Sequence, residues 1–245
     1  MKTACCISGC VGVFAALGFT EGAGGQESQY IFARIVGSGD PVPEAGGAIF
    51  PISFPNHVSI NNRGDVFVHW HFATTNGLFR AECGGELQKI AFASDPVPGA
   101  PGFVFSLFRW AVLNDDGNVA FYAEFVVPDR GGFYESVDGS APSRVVDTTS
   151  PVPARPGSYW VALNSEMGAY SAAGMLAFHG NFADRYGGPA GDGVYRRPGG
   201  GEVGRITDEG EPVPDQQQAT WLFIDSPSVN VDGRVVFRAF STPWG

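Results

Sequence analysis

Residues 39–50 read "GDPVPEAGGAIF", and near copies follow as "SDPVPGAPGFVF" at 94–105, "TSPVPARPGSYW" at 149–160 and "GEPVPDQQQATW" at 210–221. The first prolines, 41, 96, 151 and 212, are 55, 55 and 61 residues apart, so the chain is an internal repeat. Two prolines in three residues cannot continue a hydrogen-bonded ladder, because each lacks an N–H and restricts the residue before it. The Pro-Val-Pro unit therefore ends one sheet and carries the chain stiffly to the next.

Working outward, each unit sits in a fixed order of landmarks. A turn followed by alternating residues recurs as "NNRGDVFVHW" at 61–70, "NDDGNVAFYA" at 114–123, "SAAGMLAFHG" at 171–180 and "NVDGRVVFRA" at 230–239. Asn or Asp beside Gly supplies the positive φ of a tight hairpin. After the turn Val66, Val68, Trp70 and Phe72 share one strand face, matched by Val119, Phe121, Ala123 and Phe125, and then by Leu176, Phe178, Gly180 and Phe182. The opposite face is mixed: Phe67, His69 and His71; Ala120, Tyr122 and Glu124; Ala177, His179 and Asn181. A Gly-aromatic strand begins at Gly77, Gly132 and Gly193, and a last strand ("LQKIAFAS", "SRVVDTT", "VGRITDE") leads into the next proline unit.

These landmarks predict an all-β chain: a β-propeller-like array of about four four-stranded antiparallel repeats of about 55 residues. The repeats run over 44–98, 99–153 and 154–214, with a partial one at 215–245. The strand at 30–36 looks like the end of a repeat with no beginning. It is expected to pair with the two C-terminal strands and close a ring; a larger ring cut short is the alternative. Composition agrees, with 20 Phe, 35 Gly and 18 Pro but lysine only at positions 2 and 89.

The elements "NDDGNVAF", "GGFYESVDG" and "SRVVDTTSPVP" are similar to those of exported bacterial repeat proteins built from Asn-x-x-Gly-x-Val-Ala-Phe, Gly-Leu/Val-Tyr and Asp-Pro-Val-Pro-Gly. More distantly they resemble the WD40-like repeats of TolB-type propellers. The resemblance covers roughly 30–245 and departs from pattern at Ser171 and Ala173. It implies fold and export, and brings no biochemical activity with it.

Residues 1–25 carry one positive charge, an apolar stretch to Phe19 and small residues thereafter, the pattern of a secretory leader. Ile7-Ser8-Gly9-Cys10 fits a lipobox, but its apolar run lies mostly after Cys10, which disfavours lipid anchoring there. The expected location is the periplasm or the extracellular space. Cys5, Cys6 and Cys10 fall in the leader, so Cys83 is left alone and no intrachain disulfide is expected in the mature domain, 26–245. No later segment is long and apolar enough to be a transmembrane helix. A net charge of −10 argues against nucleic acid, which needs clustered Lys and Arg.

Candidate chemistry is sparse. His69 and His71 flank Trp70 and point the same way on one strand, and Glu124 holds the matching position in the next repeat. Together they are the candidate metal ligands, with His179 or Tyr122 as acid or base in a metal-dependent propeller enzyme. The bland reading makes them hydrogen-bonded polar groups between sheets. "NDDGN" and "NVDGR" lack the spaced acidic ligands of a calcium loop, and Arg63-Gly64-Asp65 lies at the shared turn, where its glycine has a backbone role. No nucleophile elbow or phosphate loop is present, and no cofactor is expected. What remains is a non-catalytic binding or structural module presenting loop surfaces to a protein or glycan.

Overall fold

The computed structural model of this 245-residue chain describes residues 12–18, 30–52, 55–72, 75–127, 130–184, 190–216 and 218–242. All regular structure among them is β-strand. The chain divides into two compact units, Met1–Phe92 and Ala93–Gly245.

The first unit holds β1 (Gly12–Gly18), β2 (Tyr30–Gly37), β3 (His57–Ile60), β4 (Val66–His71), β5 (Asn76–Ala81) and β6 (Leu87–Phe92). The last four form one antiparallel sheet in chain order. The second unit repeats that meander twice, as β7 (Phe105–Leu113), β8 (Val119–Phe125), β9 (Gly131–Ser136) and β10 (Ser143–Asp147), then as β11 (Ser158–Tyr170), β12 (Leu176–Asp184), β13 (Gly191–Arg197) and β14 (Gly204–Asp208). A two-stranded sheet follows, β15 (Trp221–Val229) with β16 (Val235–Ser241). Each four-stranded sheet is the up-and-down meander of a propeller blade, as the repeat predicts.

One pairing differs from expectation. β2, expected beside the C-terminal strands, is paired antiparallel with β1, from Gly12↔Gly37 to Gly18↔Tyr30. The physical reason is local: the apolar run read as a leader is itself strand-forming, and an open strand edge takes a nearby ladder partner.

The hairpin turns explain the Asn–Gly landmark and its one departure. Asn114 Oδ1 accepts the amide of Asn118 at 2.8 Å while the Gly117 amide bonds the Asn114 carbonyl at 3.1 Å, with Gly117 at φ 83°. Asn61 and Asn230 accept in the same way from Asp65 and Arg234, both at 2.8 Å. In the third repeat the Ser171 hydroxyl replaces the amide oxygen, accepting from the Met175 amide at 3.0 Å. A short side-chain acceptor is all the turn requires.

The second strand of each blade is largely buried on both faces, its mixed face reaching half-exposure only at His71, Glu124 and Asn181. In the first unit Val66, Val68 and Trp70 pack with Phe50 and Phe79, the Phe50 ring lying 4.9 Å from Trp70 and 5.3 Å from Phe79. The other face of β4 buries Phe67 completely. In the second unit Ala120, Tyr122 and Phe133 of one blade join Trp160, Leu176, Phe178 and Tyr195 of the next in one cluster. Small and aromatic residues alternate there because two sheets meet face to face.

Close approach fixes a glycine near the start of each third strand. Gly132 lies opposite Asp147 in register, and a Cβ on it would sit 2.5 Å from the Val146 carbonyl oxygen and 2.6 Å from Asp147 Cβ. Gly193 lies opposite Asp208 in the same way, and Gly77 opposite Phe92.

Candidate functional site

The histidines nominated by sequence do come together. His69 and His71 stand on β4 with ring centroids 4.9 Å apart, and His57, on β3, is the register partner of His69. Asn56 Nδ2 is 2.8 Å from His71 Nε2. Burial, followed by the like charges of His71 and His57, pushes the His69 pKa down to about 4, so the buried imidazole is neutral at ordinary pH. Glu124 belongs to the second unit, where Arg109 Nε donates to its carboxylate at 2.8 Å. Among the described residues no group of three or more His, Cys, Asp or Glu side chains is arranged to hold a metal ion.

The proposed acid–base residues are also accounted for by packing. Tyr122 is pushed up to about 12, chiefly by burial and then by Glu124. His179 is buried on β12, 3.9 Å from Asp192, and burial lowers its pKa against the opposing pull of Asp192 and Asp225. Both are held neutral inside the protein.

A sizeable recess lies beside one of the Pro-Val-Pro straps. Each strap seats its valine in the core, with Val42, Val97, Val152 and Val213 all buried, and each first proline bridges to a residue further on: Pro41↔Ile49, Pro96↔Val104, Pro151↔Tyr159 and Pro212↔Thr220. Three straps are latched by the same trio of backbone bonds. The first has Gly39 N→Phe50 O, Phe50 N→Asp40 O and Val42 N→Ala48 O, all at 2.9 Å. The second has Ser94 N→Phe105 O at 2.7 Å, with Phe105 N→Asp95 O and Val97 N→Phe103 O at 3.0 Å. The fourth has Gly210 N→Trp221 O at 2.8 Å, Trp221 N→Glu211 O at 3.0 Å and Val213 N→Ala219 O at 2.9 Å.

In the third strap the Pro151↔Tyr159 bridge holds the Trp160 amide to the Ser150 carbonyl and the Val152 amide to the Ser158 carbonyl, and the turn bonds, Arg155 N→Val152 O at 3.3 Å and Ser158 N→Arg155 O at 3.2 Å, are kept, but the outermost bond differs, the Thr149 amide donating to Asp147 Oδ1 at 2.8 Å. A sequence difference accounts for it. The latching residue needs positive φ, with Gly39 at 87°, Ser94 at 83° and Gly210 at 83°. The third repeat has Thr149 there, and a β-branched residue does not adopt that conformation readily. Thr149 is instead drawn toward Asp147, its amide donating to Oδ1 at 2.8 Å and its hydroxyl at 2.6 Å, while the Ser150 hydroxyl donates to the same oxygen at 3.1 Å.

Beside the third strap lies a groove of about 870 Å³, lined by Thr148–Pro151 on the strap, Gly157–Val161 at the start of β11, and Arg130. A second recess of about 620 Å³, lined by Tyr122, Glu124 and Val127 among others, shares Arg130 and Val161 with it. Exposed Tyr159 and Val161 supply apolar surface. Arg130 lies over the Phe103 ring at 5.9 Å and meets no carboxylate among the described residues. The arrangement offers a cation, hydroxyls and an aromatic ring in one place, which suits holding a ligand rather than transforming one.

A family model described as "Family of unknown function (DUF7453)" matches residues 13–244. The chain belongs to this family. No curated protein is a significant match to this DUF7453 chain. Among solved structures it is similar to a crystal structure described as a "putative gluconolactonase", with 17% identity and a TM-score of 0.39 over 79% of this chain and 61% of that one. The chain thus spans under two thirds of that structure's length, and the lactonase description is that protein's own.

Reading the sequence for chemistry found the histidines and missed the groove of this DUF7453 chain. The signal was present in the aligned repeats, where Thr149 stands among Gly39, Ser94 and Gly210. It asks for attention to a backbone angle rather than to a reactive side chain.

Proposed function

We propose that this protein is an exported, non-catalytic binding module that takes its ligand in the groove beside the third strap. The observation that carries this reading is the lined groove beside the third strap, where the Thr149 amide turns to Asp147 instead of following Gly39, Ser94 and Gly210. Burial favours the neutral forms of His69, His179 and Tyr122, whereas the groove is lined by hydroxyl side chains and by Arg130. Export rests on residues 1–25, whose charge, apolar run and small-residue end fit a leader. Its removal takes β1 away and leaves β2 without that partner.

The test compares the purified full chain with a Thr149→Gly chain, in which residue 149 can adopt the positive φ of Gly39, Ser94 and Gly210 and bond the Trp160 carbonyl across the groove edge. Ligands that bind the first and fail to bind the second support the reading. Turnover of common ester, lactone, glycoside or phosphate substrates by the full chain would count against it. Export is checked separately by the mass and N-terminal sequence of the protein recovered outside the cytoplasm.

A further inference from the structure

We infer that the ligand of this groove is an oligosaccharide carrying one carboxylate; this rests on the reading of the groove as a binding site. The backbone around the groove is already occupied. The Pro151↔Tyr159 bridge holds the Trp160 amide to the Ser150 carbonyl and the Val152 amide to the Ser158 carbonyl, so strap and strand satisfy each other and recognition falls to side chains.

Those side chains suit a polyhydroxylated partner. Thr149 donates its hydroxyl proton to Asp147 Oδ1 at 2.6 Å, and Ser150 donates to the same oxygen at 3.1 Å. A hydroxyl has one proton and two lone pairs, so both oxygens are set as acceptors. The Ser150 oxygen already takes the Asp147 amide at 3.1 Å, which leaves it one site, while the Thr149 oxygen keeps two. Acceptors fixed in this way select a ligand rich in O–H donors. Two further polar atoms on lining residues, Trp160 Nε1 and Thr148 Oγ1, are shielded and have no hydrogen-bond partner in the protein, so the groove wall retains unmet capacity for hydrogen bonds. Tyr159, 40% exposed, adds an aromatic surface, and the apolar C–H faces of pyranose rings stack on such a ring.

The carboxylate follows from Arg130, which lines both recesses, lies over the Phe103 ring and meets no carboxylate among the described residues. The in-plane fork of a guanidinium matches a carboxylate bidentately. Glu124, at the second recess, is already paired with Arg109, so one acidic group balances the site, while the net charge of −10 turns away a densely charged polyanion. Because the two recesses share Arg130 and Val161, the occupant extends to either side of its carboxylate and is longer than a single sugar.

The probe is a panel of immobilised oligosaccharides, each present as a mono-carboxylated chain and as its neutral match with the carboxylate reduced to an alcohol. Expected on the full chain is binding of carboxylated members about tenfold or more tighter than their neutral matches, from one charge-assisted pair. Arg130→Gln should erase that preference and leave the two forms equal, while Tyr159→Ala should weaken both. Thr149→Val should weaken binding, and Thr149→Ser, which keeps the hydroxyl, should retain it. Arg130 and Tyr159 are exposed, so both variants should melt with the full chain, which separates lost recognition from lost fold. Equal affinity for carboxylated and neutral sugars, or a preference that survives Arg130→Gln, overturns the assignment. If no sugar binds but a panel of acidic peptides does, and Thr149→Gly abolishes that binding, the binding-module reading stands while the saccharide assignment falls. If neither class binds, both fall.

Discussion

At the scale of single residues, buried polar groups set the pH response. His69 titrates near 4 in the fold and near 6.5 when unfolded, so the unfolded chain binds more protons between those values. Stability from this group is present above about pH 6.5 and is lost as pH falls toward 4, with a full effect on the order of 3 kcal/mol. His179 acts in the same direction. Thermal melts of the full chain from pH 7 to pH 4, by the same linkage relation, should show a falling Tm, and His69→Gln should flatten that slope. A slope equal in both chains would contradict the assignment. Backbone proximity makes a second residue-scale prediction. Gly132→Ala places a methyl group against the Val146 carbonyl, and overpacking of this kind costs about 1–3 kcal/mol, read as a lower denaturation midpoint at unchanged m-value. The need for Gly132 is written in the repeat; the reason for it, an Asp147 side chain lying across the strand, is not.

At the scale of elements, polar ties between blades complement the aromatic cluster. Glu135 of β9 is buried and accepts from Tyr170 of β11 and from Arg197 of β13, so one carboxylate joins two sheets. Burial, then the bond to Glu135, holds the Tyr170 pKa far above its ordinary value. Removing one partner of a buried ion pair leaves the other uncompensated, at about 3–5 kcal/mol. Glu135→Ala is therefore expected to lower the denaturation midpoint strongly, whereas Glu124→Ala, in a partly exposed pair with Arg109, should change it by less than about 1 kcal/mol. Equal effects of the two substitutions would contradict this ranking. The straps belong to the same scale: each buries a valine and bridges from its first proline, while the outermost bond of each depends on the residue two before that proline. Sequence alone located the straps as connectors, because proline chemistry is local. It did not reveal their latches, which pair residues six to eleven positions apart and exist only once the chain has turned back on itself.

At the scale of the whole molecule, net charge and ligand chemistry make two predictions. With a formal charge of −10, the full chain should pass unretained through a heparin column at physiological salt and bind an anion exchanger; retention on heparin would show a basic surface that the composition does not suggest. Elemental analysis of the purified protein should find no stoichiometric transition metal, since His57, His69 and His71 adjoin without forming a ligand set. One equivalent of zinc lost in a His69→Ala, His71→Ala chain would reverse that conclusion. The division between sequence and structure follows from the range of the forces. Repeat length, strand periodicity, turn glycines and proline breaks act within a few residues, and they determined the all-β class and the order of strands in each blade. The burial of both faces of β4, the lowered pKa values of His69 and His179 and the groove beside Thr149 depend on residues distant in sequence. Only the tertiary structure decided them, because desolvation and backbone latching arise when those residues are brought together.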